Sequence, residues 1–422
     1  MTPQIEAMRR QLKQIMTTQH ASDDVLVIGA GPAGIASAYA LQQANISYKV
    51  IDRAEQIGNT WASLYPSLTL NTSRYFSHMP EKPFPSAYGI FPTGKQYHRY
   101  LLDFVNDHNF NIQLGVEVYR VSPEGNLWRV ETSEGTFLYK VVIPATGIWN
   151  NPIMPEIEGM NAFTGEMYHA HFFRDTAQVK DKRVLVVGNG PSGIDIAVAS
   201  GEVADKAYIG IRSGVNLSRR YPLGLPKHTW LMLGDMLPKA WCKRLMKFVG
   251  SFKYSDAEQY GLTPPPAGSG GMTGYAGDEL LNAVKAGTVT PVSAPVRFEG
   301  NKAILADGDR LEVDTVIMAT GYEPVLHQYM DVEFQFNGAP WTPQSICDWE
   351  IGPNGQRGFP LRDTSEHPNG RQVAGYEGLY LVGTFYKGKG AMYNFNIEAE
   401  IAAQQIKQYL TEFQETMPAV AD

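Results

Sequence analysis

Two cysteines in 422 residues, Cys242 and Cys347, leave this chain without a disulfide framework, and no Cys-x-x-Cys pair occurs in it. A reducing compartment is the expected setting, with the cytoplasm as default. Basic charge is also short: 36 Lys and Arg face 43 Asp and Glu, a net charge of −7. That excludes the basic footprint a general nucleic-acid binder needs and argues, more weakly, against anionic membranes as the main partner. No apolar run is long enough to span a bilayer, so no transmembrane segment is expected, and the first residues lack the features of a secretory signal. Ile5, Met8, Leu12 and Ile15 follow helical spacing, with Arg9, Arg10 and Lys13 between them. They predict a surface helix within residues 1–22, docked on the core or on a second subunit, with membrane attachment as the weaker alternative. Apolar content of 43% and charged content of 19% are those of a globular protein of two to three domains.

Glycine is plentiful, at 41 residues, and one glycine pattern occurs twice. The apolar run 24–29 enters Gly29-Ala30-Gly31-Pro32-Ala33-Gly34, an Ala-rich helix follows to about Ala44, and a strand from Tyr48 ends at Asp52. The run from Arg183 to Val187 enters Gly188-Asn189-Gly190-Pro191-Ser192-Gly193, then a helix, then a strand from Ala207 to Ile211. A lone Gly-x-Gly-x-x-Gly arises easily by chance in such a chain; two in the same strand–turn–helix context carry weight. The first Gly permits a tight turn, the second lets backbone approach a pyrophosphate, and the third lets helix and strand pack closely. The helix N-terminus then offers free N–H groups to phosphate.

The residues expected to face the two riboses differ. Asp52 suits the hydroxyls of FAD or NAD and would repel a 2′-phosphate, whereas Arg212 and Ser213 suit the 2′-phosphate of NADPH. Each unit has a similar closing strand, one ending in Ala145-Thr146-Gly147 and the other in Ala319-Thr320-Gly321. The stretch from Gly378 to Gly383, followed by a helix near Asn394, would complete the first unit and aim a helix N-terminus at a flavin. The expected fold class is α/β, with two doubly wound Rossmann-like dinucleotide-binding domains. The NADPH domain (176–321) is inserted into a discontinuous FAD domain (23–175 and 322–422). A further insertion at about 215–275 reads equally as a substrate lid or as an ordinary subdomain or dimer contact. It begins with Ser218-Arg219-Arg220-Tyr221-Pro222 and ends in Pro264-Pro265-Pro266 and the glycines at 268–271. Two nucleotide sites in one chain imply electron transfer between two cofactors.

At this point the residues resemble a known family, the class B flavin-dependent monooxygenases. These include flavin-containing monooxygenases, YUCCA enzymes and Baeyer–Villiger monooxygenases. The stretch from Phe163 and Gly165 through His169 to Phe173 is similar to the pattern F-x-G-x-x-x-H-x-x-x-(F/Y/W). The pair Phe173-Arg174 favours the heteroatom-oxygenating or YUCCA-like branches over the Baeyer–Villiger branch. Asn71-Thr72-Ser73-Arg74 resembles the Asn-Thr-Ser-Lys stretch of flavin-containing monooxygenases, which makes Asn71 the catalytic candidate beside the flavin. Gly58-Asn59-Thr60-Trp61 resembles the flavin-wrapping G-G-x-W loop, with Asn59 replacing a Gly, and Asp52 replaces the more common Glu. The resemblance also places Val118 near the adenine.

The cofactor-binding set is then Gly29, Gly31, Pro32, Ala33, Gly34, Asp52, Trp61, Asn71, Val118, Ala145 and Gly383 for FAD. For NADPH it is Gly188, Gly190, Pro191, Ser192, Gly193, Arg212, Ser213, Thr320 and Gly321. His169 reads as a linker, and no metal site is expected. The implied activity is NADPH-consuming oxygenation, by O2 through a C4a-hydroperoxyflavin, of a small substrate with a nucleophilic nitrogen or sulfur. A homodimer is a common outcome in this family. Baeyer–Villiger insertion and decarboxylation of a 2-oxo acid are alternatives within the family. An electron-transfer reductase is the alternative outside it, although a disulfide reductase of the usual kind needs neighbouring cysteines.

Overall fold

The computed structural model describes residues 18–416, apart from 218, 253, 255, 266–272, 275–276, 334, 337–338, 341–370, 374 and 384–389. The first sheet is parallel, built from β1 (Val25–Ile28), β2 (Tyr48–Asp52), β3 (Ile112–Leu114) and β4 (Val141–Pro144) in the order β3-β2-β1-β4. Helix α1 (Pro32–Gln43) makes the crossover from β1 to β2. The second sheet is also parallel. Its strands are β5 (Glu166–His169), β6 (Arg183–Val187), β7 (Lys206–Ile211), β8 (Val289–Ser293) and β9 (Thr315–Met318), in the order β5-β9-β6-β7-β8. Helix α2 (Pro191–Gly201) joins β6 to β7. In each sheet the strand that carries the glycine turn is central, between the closing strand and the strand expected to end at the ribose.

Both sheets are buried on two faces, which is why their strands read as continuous apolar runs. Val25, Val27, Val50 and Val141 pack with α1, while Leu26, Ile28, Ile51 and Val142 pack on the opposite face. That opposite face departs from a doubly wound plan, which would put helices there. It is covered instead by the antiparallel strands Val118–Glu124, Leu127–Thr132 and Gly135–Tyr139. Alternate residues of Leu127–Thr132 are buried, so Trp128 and Val130 supply a one-sided apolar face. The second sheet repeats the arrangement: α2 covers Val184 and Val186, while Phe298, Ala303 and Leu305, from antiparallel strands, cover Leu185 and Val187.

The predicted N-terminal helix needs correction at its end. Thr18–His20 is a strand paired in parallel with Gly135–Tyr139, because that edge of the antiparallel sheet offers unpaired backbone groups; residues 1–17 lie outside the described set. The C-terminal stretch does return to the first sheet. Val142 N–H donates to Gly378 O (2.9 Å) and Tyr380 N–H to Val142 O (3.1 Å). The last helix, Ala391–Thr416, begins three residues before the expected Asn394 and packs along α1 through Ala399, Ala402 and Ala403. Between β7 and β8 stand α3 (Lys227–Asp235), α4 (Lys239–Gly250) and α5 (Gly277–Lys285), and α6 denotes the last helix. Cys347 and residues 268–271 lie outside the described residues.

Candidate active site

The two glycine turns have the same geometry. Gly29 takes φ +114°, and a Cβ there would stand 2.6 Å from Ala145 O; a Cβ on Gly34 would stand 1.8 Å from Gly29 O. Both close approaches exclude a side chain. Gly31 is different, since a Cβ there would have no atom within 4 Å. The second turn repeats this: a Cβ on Gly188 would meet Ala319 O at 2.4 Å, one on Gly193 would meet Gly188 O at 2.0 Å, and one on Gly190 would meet nothing. In each copy the outer glycines serve packing, and the middle one borders open space at a helix N-terminus. Pro32 and Pro191 open their helices, and neither helix has a side-chain cap. Backbone N–H groups of the first turn, around Ala33 and Ser192, are therefore available to an anion. These two cradles fit the pyrophosphates of two dinucleotides.

Asp52 braces the first turn. Its Oδ2 accepts from Ala30 N–H (2.7 Å) and its Oδ1 from Ala54 N–H (2.8 Å). A carboxylate has about four acceptor positions, so two remain for a ribose. In the Gly58–Trp61 loop, Gly58 takes φ +63° and its N–H donates to Ala30 O (2.9 Å). Asn59 then starts a helical turn, so the missing second glycine is not needed. Trp61 is half-buried against Tyr97, with ring centroids 4.4 Å apart. Val118 is half-buried at the head of its strand, packed in the cluster that contains Ile51 and Val116.

Asn71 lies on a short segment held at both ends. Leu70 N–H donates to Pro92 O (2.8 Å) and Arg74 N–H to Ile90 O (2.7 Å). The Arg74 guanidinium pins the neighbouring loop through Ser86 O (3.1 Å) and Phe84 O (2.5 Å). Asn71 is half-buried, and its amide makes no hydrogen bond among the described residues. A Cβ on Gly390, next to the start of α6, would stand 2.4 Å from Thr72 Cγ2, and one on Gly383 would stand 2.7 Å from Ala33 Cβ. The fold thus gathers the Asn71 segment, the start of α6 and the first cradle. Gly383 N–H donates to Glu398 Oε2 (2.7 Å), and the carboxylate of Glu398 lies 3.9 Å from the Arg371 guanidinium, with both side chains buried. Ser73 Oγ and Tyr97 Oη are buried with no hydrogen-bond partner among the described residues. Such orphaned groups beside Asn71 and Trp61 also suit a site built for a polar ligand.

On the second cradle, Arg212 and Ser213 are exposed just past the end of β7. Asn189 Nδ2, from the glycine turn, donates to Gly214 O (2.7 Å) and holds that loop beside the cradle. Arg212 makes no ion pair among the described residues. Thr320 Oγ1 donates to Ile153 O (2.6 Å), and Gly321 O accepts from Ile153 N–H (3.0 Å) and from His169 Nε2 (3.0 Å). His171 N–H donates to His169 Nδ1 (3.0 Å), so the His169 proton sits on Nε2. Burial lowers the His169 pKa to about 4, so the ring is neutral. With both ring nitrogens engaged, His169 ties the motif around it to the closing strand.

Sequence reasoning missed several of these groups. Tyr97 and the Glu398–Arg371 pair carry no local motif, and Ser73, although part of the Asn71–Arg74 stretch, was given no role; the one available signal was an acid set among the alanines of α6. It also missed His228 of α3, buried with its Nδ1 unpaired among the described residues. The His228 ring lies 5.9 Å from Phe76 and 6.3 Å from Phe91, the residues flanking the Asn71 segment.

The comparisons agree with this geometry. Residues 26–214 match the family model described as pyridine nucleotide-disulphide oxidoreductase. The chain is 29% identical over 347 residues to a probable indole-3-pyruvate monooxygenase, YUCCA8 of Arabidopsis thaliana, covering 77% of this chain and 81% of that protein. Among solved structures it shares its fold with a flavin-containing monooxygenase from Stenotrophomonas maltophilia (TM-score 0.66, 22% identity, 94% of this chain and all of that one). It also shares the fold with cyclohexanone monooxygenase (TM-score 0.66, 16% identity, 94% and 89%). With two intact nucleotide cradles, the chain is an oxidoreductase similar to the class B flavin-dependent monooxygenases, and its cofactors are FAD and NADPH.

Proposed function

We propose that this enzyme uses NADPH and O2 to oxygenate a small substrate at a nucleophilic nitrogen or sulfur. The observation that carries this reading is the half-buried Asn71 amide, which has no hydrogen-bond partner among the described residues and whose neighbour Thr72 lies against Gly390 at the start of α6. In this reading the unit around the first sheet, 23–175 with 322–422 but without β5, holds FAD. The unit around the second sheet, 176–321 together with β5 (Glu166–His169), is inserted into it and holds NADPH. Gly31 and the N–H groups opening α1 bind the FAD pyrophosphate, Asp52 the adenosine ribose, and Trp61 packs near the ring system. Gly190, Ser192, Arg212 and Ser213 hold NADPH, with the guanidinium on the 2′-phosphate.

Bound flavin, reduced by NADPH, supplies the oxygen-activating chemistry. The chain's own part is to exclude water, to orient the reactants and to place hydrogen bonds. The Asn71 amide donates a hydrogen bond without giving up a proton. Neutral His169 couples β5 to the end of β9 and positions the second cradle. A second reading, decarboxylating oxygenation of a 2-oxo acid, is favoured by the similarity to the indole-3-pyruvate monooxygenase.

The test is to supply isotopically labelled O2 and NADPH to the holoenzyme with an aryl sulfide, a tertiary amine, a ketone or an aryl 2-oxo acid. One labelled oxygen in a sulfoxide or N-oxide, with NADPH and O2 consumed one to one, is the expected result. Carbon dioxide release from the 2-oxo acid selects the second reading. NADPH oxidation with all the oxygen recovered as peroxide from every substrate overturns both.

A further inference from the structure

We propose that the hairpin of α3 and α4 docks this protein on an anionic phospholipid surface. The proposal is independent of the catalytic reading. Of the eighteen large apolar side chains exposed among the described residues, half lie between Tyr221 and Phe248. Isolated exposed apolar residues are ordinary on a soluble surface; a cluster is not. Met236, at the turn between the helices, is 82% exposed, and Trp241 and Phe248 are 59% and 55% exposed. Met232, Leu233 and Leu237 flank them, also exposed.

The order of side chains around α4 explains the pattern. At 100° per residue, Cys242, Leu245, Met246 and Val249 share one side of the helix. All four are buried or half-buried, and they satisfy the helix's need for an inward face. Trp241 and Phe248 fall outside that face and share a second strip. Next round come Arg244, Lys247 and Lys243, all exposed. A helix needing only a core side and a water side has no use for the aromatic strip. A helix lying in a membrane interface does: the aromatics enter the headgroup boundary and the cations meet lipid phosphates. The Arg244 guanidinium already lies over the Trp241 ring, 5.4 Å from its centroid.

Charge selects the kind of surface. From Asp235 to Gly250 the chain has Lys239, Lys243, Arg244 and Lys247 against Asp235, a local excess of three positive charges in a protein of net charge −7. Screening confines electrostatic attraction to about 10 Å at 0.1 M salt, so this local excess governs what the hairpin meets. The net charge, which argued against anionic membranes, conceals it. Among the described residues no helix is long and apolar enough to cross a membrane, so the attachment is peripheral.

The experiment is co-sedimentation of the FAD-loaded full chain with vesicles of phosphatidylcholine alone or mixed with phosphatidylglycerol. Binding to the mixed vesicles, at least about tenfold stronger than to phosphatidylcholine and reversed by high salt, is expected. Lys243→Glu with Arg244→Glu and Lys247→Glu, or Met236→Asp with Trp241→Asp, should each lower binding at least about tenfold without changing the flavin spectrum or the rate of NADPH oxidation. As a measurement independent of those variants, brominated lipid should quench tryptophan fluorescence in the native chain and much less in Trp241→Phe. Absence of binding to either vesicle overturns the proposal, as does equal quenching in Trp241→Phe. A stable dimer in solution that Met236→Asp with Trp241→Asp converts to monomer also overturns it, since the face would then be covered by a second copy.

Discussion

The Tyr65 hydroxyl donates to Asp195 Oδ2 across 3.2 Å, joining the segment after the Trp61 loop to the first turns of α2. Tyr65 packs in the apolar cluster of the second sheet, edge-on to Phe173 at 5.6 Å. Burial raises the Asp195 carboxyl to about 7, despite the Tyr65 hydrogen bond and the Arg220 charge, both of which favour the ionised form. The folded state therefore holds this proton more tightly than the unfolded state, whose value is near 3.8. The contribution is complete below 3.8 and is lost as pH rises through about 7. Asp195→Asn should remove that slope. Its thermal unfolding midpoint should exceed that of the native chain at pH 8 and approach it at pH 5, for a difference on the order of 3 kcal/mol at most. Equal pH dependence in the two proteins would refute it.

His169 has the opposite sign. Its folded value, about 4, lies below the ordinary 6.5, chiefly through burial. Stability from the neutral ring is complete above 6.5 and is lost as pH falls from 6.5 through 4. His169→Phe should be less stable than the native chain at pH 7.5, and acidification should cost it less, by up to about 3 kcal/mol. Chemical denaturation at pH 7.5 and pH 4.5 measures both terms.

The glycines of the second turn separate packing from binding. Gly193→Ala forces a Cβ against Gly188 O and should lower stability by roughly 2–4 kcal/mol. Gly190→Ala meets no protein atom, and residue 190 has an ordinary φ of −70°. It should fold with stability within about 0.5 kcal/mol of the native chain, yet raise the KM for NADPH, because the added methyl occupies space proposed for phosphate. Thermal unfolding and steady-state kinetics on the two variants make the comparison.

Arg212 is expected to set the preference between nucleotides. A charge-assisted hydrogen bond to the 2′-phosphate is worth about 1.5–3 kcal/mol, so Arg212→Ala should lower kcat/KM for NADPH roughly 10- to 100-fold and leave NADH turnover nearly unchanged. A parallel fall with both nucleotides would remove the 2′-phosphate from its role.

The sequence by itself determined the two glycine turns, the strands before them and their closing strands, because tight turns and doubly buried strands leave local signatures. Gly29, Gly34, Gly188 and Gly193 are read from spacing alone, and each has a close backbone contact that explains it. The acid at 52 and the cation at 212 were legible for the same reason, as each ends a recognisable strand. Tertiary structure alone decided what covers the far face of each sheet, since antiparallel strands and helices can both supply an apolar face and only packing selects between them. It alone brought Gly390 to Thr72, His228 to Phe76 and Tyr65 to Asp195. Those contacts join segments far apart in the chain, and no local spacing encodes them. The aromatic strip of α4 shows the same limit: which sides of that helix remained exposed was fixed only when α3 packed against it.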